Sequence, residues 1–173
     1  MPNGRSMHSR RQAREWAVQM LFELDANPGQ AKSLAELFAT FWNGGLRLKE
    51  QGEDQGAVPD ESARRFAELL VTEASTRRAE IDETISKRLK NWTLDRVGAA
   101  ERAVLRVATA ELTLPEGPDR APDPVVINEA VDLAKYFGTN ESGRFVNGIL
   151  DAMARRRRAD KAREREMSQV WNP

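Results

Sequence analysis

The sequence predicts an all-α fold of about seven helices. Three observations carry that prediction. Apolar residues recur at helical spacing along most of the chain, strand-type alternation is absent, and proline or glycine clusters separate the periodic stretches. The 173 residues are 40% hydrophobic and 31% charged. That is the balance of a soluble globular protein, and the length is enough for a core that needs no disulfide or metal staple.

The elements follow in order. Residues 1–9 read as a disordered tail ahead of the first helix. From Arg10 to Asp25, Ala13, Trp16, Ala17, Met20, Leu21 and Leu24 form one amphipathic stripe, which Asn27-Pro28-Gly29 stops. Ser33 with Glu36 makes a capping box for a second helix lined by Leu34, Leu37, Phe38, Phe41 and Trp42, and Asn43-Gly44-Gly45 ends it. Residues 49–58 are polar and read as a mobile loop. Asp60 can cap a third helix with Ala63, Phe66, Ala67 and Leu70 inward. Its register resumes at Ile81, Ile85, Leu89 and Trp92, with Ser75-Thr76 as the candidate break. A short turn holds Leu94 and Val97 and ends at Gly98.

Residues 99–114 are apolar on every side, which predicts a central, buried helix. Residues 115–124 hold four prolines and one glycine and must be a loop, closing at Pro124 near the next helix start. Val126, Ile127, Ala130, Leu133, Ala134 and Phe137 line that helix, and Gly138 terminates it. A last helix carries Phe145, Ile149, Leu150 and Met153. Past Ala154 the apolar stripe gives way to an arginine-rich tail, residues 155–173. The expected organisation is one helical domain over 10–154, with two sub-bundles divided near Gly44–Asp60.

Composition removes whole classes of chemistry. There is no cysteine, so disulfides, thiolate nucleophiles and cysteine-ligated zinc are excluded, and His8 alone supports neither a histidine-rich metal site nor a Ser–His triad. No phosphate-binding P-loop, dinucleotide fingerprint or H-E-x-x-H helix occurs. Glu129 and Asp132 share a helix face. Paired carboxylates can bind a metal or move protons, but no electrophile, cofactor loop or second ligand cluster lies nearby, so solvated acids are the expectation. Neither an enzyme nor a cofactor nor a metal is expected. No membrane span and no secretory signal is visible, which points to a cytoplasmic protein without membrane contact.

The net charge is zero but unevenly spread. Residues 1–14 carry Arg5, Arg10, Arg11 and Arg14 and no acid, and residues 152–165 carry seven cations against two acids. Basic ends on an acidic body point to local attraction for a polyanion. Arg10 and Arg14, four apart, lie one above the other on a helix, with Arg11 beside them. Cations at a helix start oppose the helix dipole unless an anion compensates, so this cluster reads as a phosphate site.

Four segments carry a family resemblance. Arg10-Arg11-Gln12-Ala13-Arg14-Glu15-Trp16-Ala17-Val18-Gln19 is the first. Asn91-Trp92-Thr93-Leu94-Asp95-Arg96, followed by Glu101-Arg102-Ala103-Val104-Leu105-Arg106, is the second. The third runs from Val126-Ile127-Asn128-Glu129-Ala130 to Phe137-Gly138, and the fourth is Arg144-Phe145-Val146-Asn147-Gly148-Ile149-Leu150-Asp151. In order and spacing they resemble the bacterial transcription antitermination factor family NusB, over about residues 10–153.

That resemblance implies an all-α fold of two packed helical sub-bundles and a non-enzymatic role. Its members pair with the ribosomal protein NusE and bind boxA-type single-stranded RNA of nascent ribosomal transcripts, within the RNA polymerase antitermination complex. The residues it implies for RNA are Arg10, Arg11, Arg14, Glu141, Arg144 and Phe145. Those it implies for NusE are Glu101, Asp95 and Phe22. Gln12 stands where the family often has a third consecutive arginine, Glu141 where it commonly has Asp, and Arg144 where Lys is usual. The residues also leave open a homodimer that buries the arginine edge, a helical scaffold whose basic ends are incidental.

Overall fold

The computed structural model describes residues 4–29, 33–44, 60–118 and 120–170, leaving aside the side chains of 4–8 and 170. Among the described residues there are seven α-helices and no strand. They are α1 (Gly4–Ala26), α2 (Leu34–Gly44), α3 (Glu61–Thr76), α4 (Arg78–Ser86), α5 (Ala99–Leu112), α6 (Asp123–Phe137) and α7 (Asn140–Val170), with a 3-10 turn at Leu94–Arg96. None is long and apolar enough to cross a membrane. The loop expected at 49–58 lies outside the described residues.

The helices form two compact units, Met1–Arg78 and Ala79–Pro173. The division expected near Gly44–Asp60 falls instead just after α3, because α3 packs along α1 and belongs to the first unit. Within that unit α1 buries the predicted stripe of Ala13, Trp16, Ala17, Met20 and Leu21, and also Val18. α3 buries Ala63, Phe66, Ala67 and Leu70. Its start is fixed as predicted, the Asp60 carboxylate accepting the Ser62 amide at 3.3 Å, and it ends at Thr76, the candidate break. At the start of α2, the Ser33 hydroxyl accepts the Glu36 amide at 3.2 Å. Trp42 meets Trp16 edge-on at 5.2 Å and donates its indole N–H to Glu68 at 2.7 Å, which satisfies the polar edge of a half-buried ring.

In the second unit α5 is the central helix. Every residue from Ala103 to Leu112 is buried, and both α6 and α7 pack on it. Two charged residues go inside with it, Arg106 and Glu111. Arg106, 5% exposed, grips Asp82 of α4 with two parallel bonds, Nε at 2.7 Å and a terminal nitrogen at 2.9 Å. A bidentate fork is the geometry in which a buried guanidinium recovers its lost hydration.

Two boundaries differ from the sequence reading. α1 begins at Gly4, because no proline or glycine separates Gly4 from Arg10 to stop the helix extending back. Arg10 therefore lies beyond the first turn. The Ile81–Ile85 stripe does not run on to Trp92: α4 ends at Ser86, and Asn91 adopts φ 61°. Asn tolerates that left-handed conformation better than most residues, and the turn carries Trp92 out of the core stripe.

Candidate nucleic-acid interface

The arginine edge of the first unit is built on α3. The Arg10 guanidinium lies 4.3 Å from the centre of the Phe66 ring, and that of Arg14 lies 5.7 Å from it. Phe66 is buried at 5% exposure, so its face is a fixed platform for both cations. The three arginines differ in access. Arg11 is exposed and Arg10 half-buried, whereas Arg14 is only 4% exposed. Arg14 thus has little surface to offer a phosphate and is placed to hold the platform. Because the helix starts at Gly4, the free amides of its first turn are not beside Arg10. The expected cooperation between helix terminus and guanidiniums is absent, and the cations themselves make the field.

The second unit brings together residues expected to serve different partners. Glu101 on α5, and Glu141 and Phe145 on α7, line one pocket of about 400 Å³ with Trp92. A relay of hydrogen bonds fixes it. The Thr139 hydroxyl accepts the Ser142 amide at 3.3 Å, and the Ser142 hydroxyl accepts the Thr139 amide at 3.1 Å, a reciprocal cap on α7. The same Ser142 hydroxyl donates to Glu101 at 2.5 Å. Glu101 therefore locks the first turn of α7, which carries Glu141 and leads into the turn of Arg144 and Phe145. Gly138 makes the approach fit: a Cβ there would crowd the Ser142 side chain and the Ala134 carbonyl, 2.9 Å away.

Above that turn Glu141 and Arg144 are exposed, with a loose contact of 3.7 Å between them. An acid at this position also suits the helix N-terminus, which gives Glu141 a stabilising role of its own. The aromatics are the unexpected part. Trp92 is 62% exposed and Phe145 37% exposed. Phe145 does not join the core stripe of Ile149, Leu150 and Met153, and Trp92, read from its spacing as a core residue, is the functional candidate that the periodicity concealed. Its signal was the asparagine before it.

Of the other residues expected to face a protein partner, Phe22 is 44% exposed on α1. Asp95 is exposed in the 3-10 turn. The Thr93 side chain and then its own backbone amide hydrogen-bond the Asp95 carboxyl and hold it below the usual carboxylate range, with Arg96 and Arg102 adding to the pull against desolvation. A carboxyl lowered in this way stays ionised as pH falls through the ordinary carboxylate range, so any contact it makes with a cation persists there. Among the described residues no group of three acids or histidines could hold a metal ion.

Known proteins are similar to this chain over most of its length. The sequence pattern that defines the NusB family matches residues 11–155. The transcription antitermination protein NusB of Koribacter versatilis is 36% identical over 156 residues, covering 90% of this chain and 95% of the relative. That of Syntrophotalea carbinolica is 39% identical over 150 residues, covering 84% and 92%. Among solved structures, T. maritima NusB superposes with a TM-score of 0.67 at 32% identity, covering 84% of this chain and 90% of that one. A crystal structure of antitermination factors NusB and NusE in complex with double-stranded RNA gives 0.68 at 29% identity, covering 86% and 98%.

Proposed function

The chain belongs to the NusB family, and from that premise we propose that it is a transcription antitermination factor. In this reading it binds boxA-type single-stranded RNA of nascent ribosomal transcripts together with the ribosomal protein NusE, and so lets RNA polymerase pass terminators. It makes and breaks no covalent bond, and a role on nascent transcripts puts it in the cytoplasm. The observation that supports this best is the arginine edge, with Arg10 poised over the Phe66 ring and Arg11 exposed next to it. Guanidiniums held there neutralise phosphates and release counterions, which gives salt-sensitive binding of modest sequence preference. Arg144 offers a further exposed cation in the second unit, and Arg14 acts through the platform.

Base recognition falls to the second unit. An unpaired base can stack on Trp92 or Phe145, and carboxylates such as Glu141 can accept from exocyclic amino groups. Paired bases cannot reach those rings. Single-stranded RNA is therefore the expected ligand, even though the solved complex of relatives contains a duplex. NusE is assigned to Glu101, Asp95 and Phe22.

The test is an RNA titration with and without NusE at two salt concentrations, using a boxA-like single strand and the same sequence as a duplex. The single strand should bind more tightly than the duplex, and more tightly with NusE present. Equal, weak binding of both RNAs that NusE does not alter overturns the proposal. Glu101→Lys should abolish co-elution with NusE and loosen the first turn of α7 by removing the Ser142 bond. Helix content by circular dichroism should stay unchanged. An unaltered complex on the column refutes the role of Glu101.

A further inference from the structure

The arginine run beyond Ala154 is not uniform. One face of α7 is neutralised internally, Arg155 pairing with Asp151 at 3.2 Å and Arg156 with Asp160 at 3.1 Å. The other face is not. There Arg157, Arg158, Lys161 and Arg165 line a pocket of about 410 Å³ together with Arg120 of the proline-rich loop. Among the described residues these five cations face two carboxylates, Glu116 and Asp123, an excess of three positive charges.

The two acids hold the inner cations in place. Asp123 accepts from Arg120 at 2.5 Å and from Arg157 at 3.1 Å, and Glu116 accepts from Lys161 at 2.5 Å. The Lys161 ammonium, with Arg120 and Arg165 beyond it, keeps the Glu116 carboxyl below its usual range, a sign of how positive this corner is. Even so, the cations are not all satisfied. Arg120 Nε and Arg157 Nε are buried and donate to no acceptor among the described residues. Arg158 and Arg165 are exposed and take no ion-pair partner among the described residues. An unmade donor on a buried guanidinium is costly, and an anion at the site would offset that cost.

We propose that this groove, between the proline-rich loop and the extension of α7, is a second binding site for the phosphodiester backbone of RNA. Arg157, Lys161 and Arg165 recur at one helical turn each, with Arg158 at their side, so the charge runs as a stripe along the helix. A stripe tracks a chain of phosphates, whereas a small anion needs a point. Arginine, with its planar fork of donors, is the residue suited to phosphate oxygens. Most of the stripe lies past residue 155, beyond the part of the chain that matches the family. The choice of RNA over another polyanion rests on the function proposed above. The existence of the site does not.

The experiment uses the full chain and a 24-nucleotide oligouridylate, which carries no boxA sequence, at 50 and 200 mM KCl. Arg158→Ala with Arg165→Ala changes two exposed helical positions to the best helix former, so the fold is kept. The salt slope should fall by about 1.4, about 0.7 per lost phosphate contact, so the variant's shortfall should be about sevenfold larger at the lower salt. Unchanged affinity and slope, or no binding of the oligonucleotide by the parent, overturns the proposal. So does saturation of the site by inorganic tripolyphosphate where oligouridylate does not bind, which would make it a small-anion site. Arg10→Ala with Arg11→Ala is run in parallel on boxA-like RNA. Loss of effect there alone removes the α1 reading and leaves this one standing.

Discussion

Trp92→Ala combined with Phe145→Ala is expected to weaken binding of single-stranded boxA-like RNA at least about thirtyfold. Each stacked base contributes about 1–3 kcal/mol, so two lost platforms remove about 2 kcal/mol or more. The rings are available for it, at 62% and 37% exposure on one pocket. Neither carries charge, so the dependence of affinity on salt should stay the same while its absolute value falls. Duplex RNA, whose bases are already stacked, should be indifferent to the double change. If single strand and duplex lose affinity equally, or neither does, the rings stack on no base.

Asp82→Ala should be the most damaging single substitution for stability among those considered, at about 3 kcal/mol. It removes both bonds of the fork from the Arg106 guanidinium, which is 5% exposed. For a chain of this size that corresponds to a fall in Tm of about 6–12 °C. The double variant Asp82→Ala with Arg106→Met should be milder than Asp82→Ala alone, because the buried charge is gone and a methionine can fill the space. Thermal unfolding of the three proteins decides it. A double variant at least as unstable as the single would mean that the pair contributes more than its desolvation costs.

Much of this architecture is legible in the residues, for identifiable reasons. Helices with a strong stripe, a capping side chain and a proline or glycine stop were assignable: α3 behind Asp60, α5 without a polar face, and α6 ahead of Gly138. What failed was the extrapolation of a stripe past a local break. Ile81 and Ile85 are core residues, but Trp92 further along the same spacing is not, because α4 ends at Ser86 and a left-handed asparagine turns the chain just before it. A helix start without a breaker is not visible in sequence either, and α1 reaches back to Gly4 over a segment with no stop signal.

The sites were legible as residue types rather than as geometry. The arginine cluster of α1 is obvious in sequence, yet spacing cannot show that Arg14 is buried while Arg11 is exposed. Nor can it show that a phenylalanine more than fifty positions away carries two of the guanidiniums. Glu101 and Phe145 were assigned to different partners, and only the Ser142 bond between α5 and α7 reveals that they belong to one pocket. The groove formed with Arg120 needed a proline-rich loop and a helical extension to fold against each other, which neither segment announces alone.

The central claim is that the cationic edge of α1 holds a ribonucleotide backbone. Its most direct test is the salt dependence of boxA-like single-strand binding for the parent and for Arg10→Ala with Arg11→Ala. The predicted result is a slope shallower by about 1.4 and an affinity about tenfold lower near physiological salt. Superimposable lines for the two proteins would contradict it.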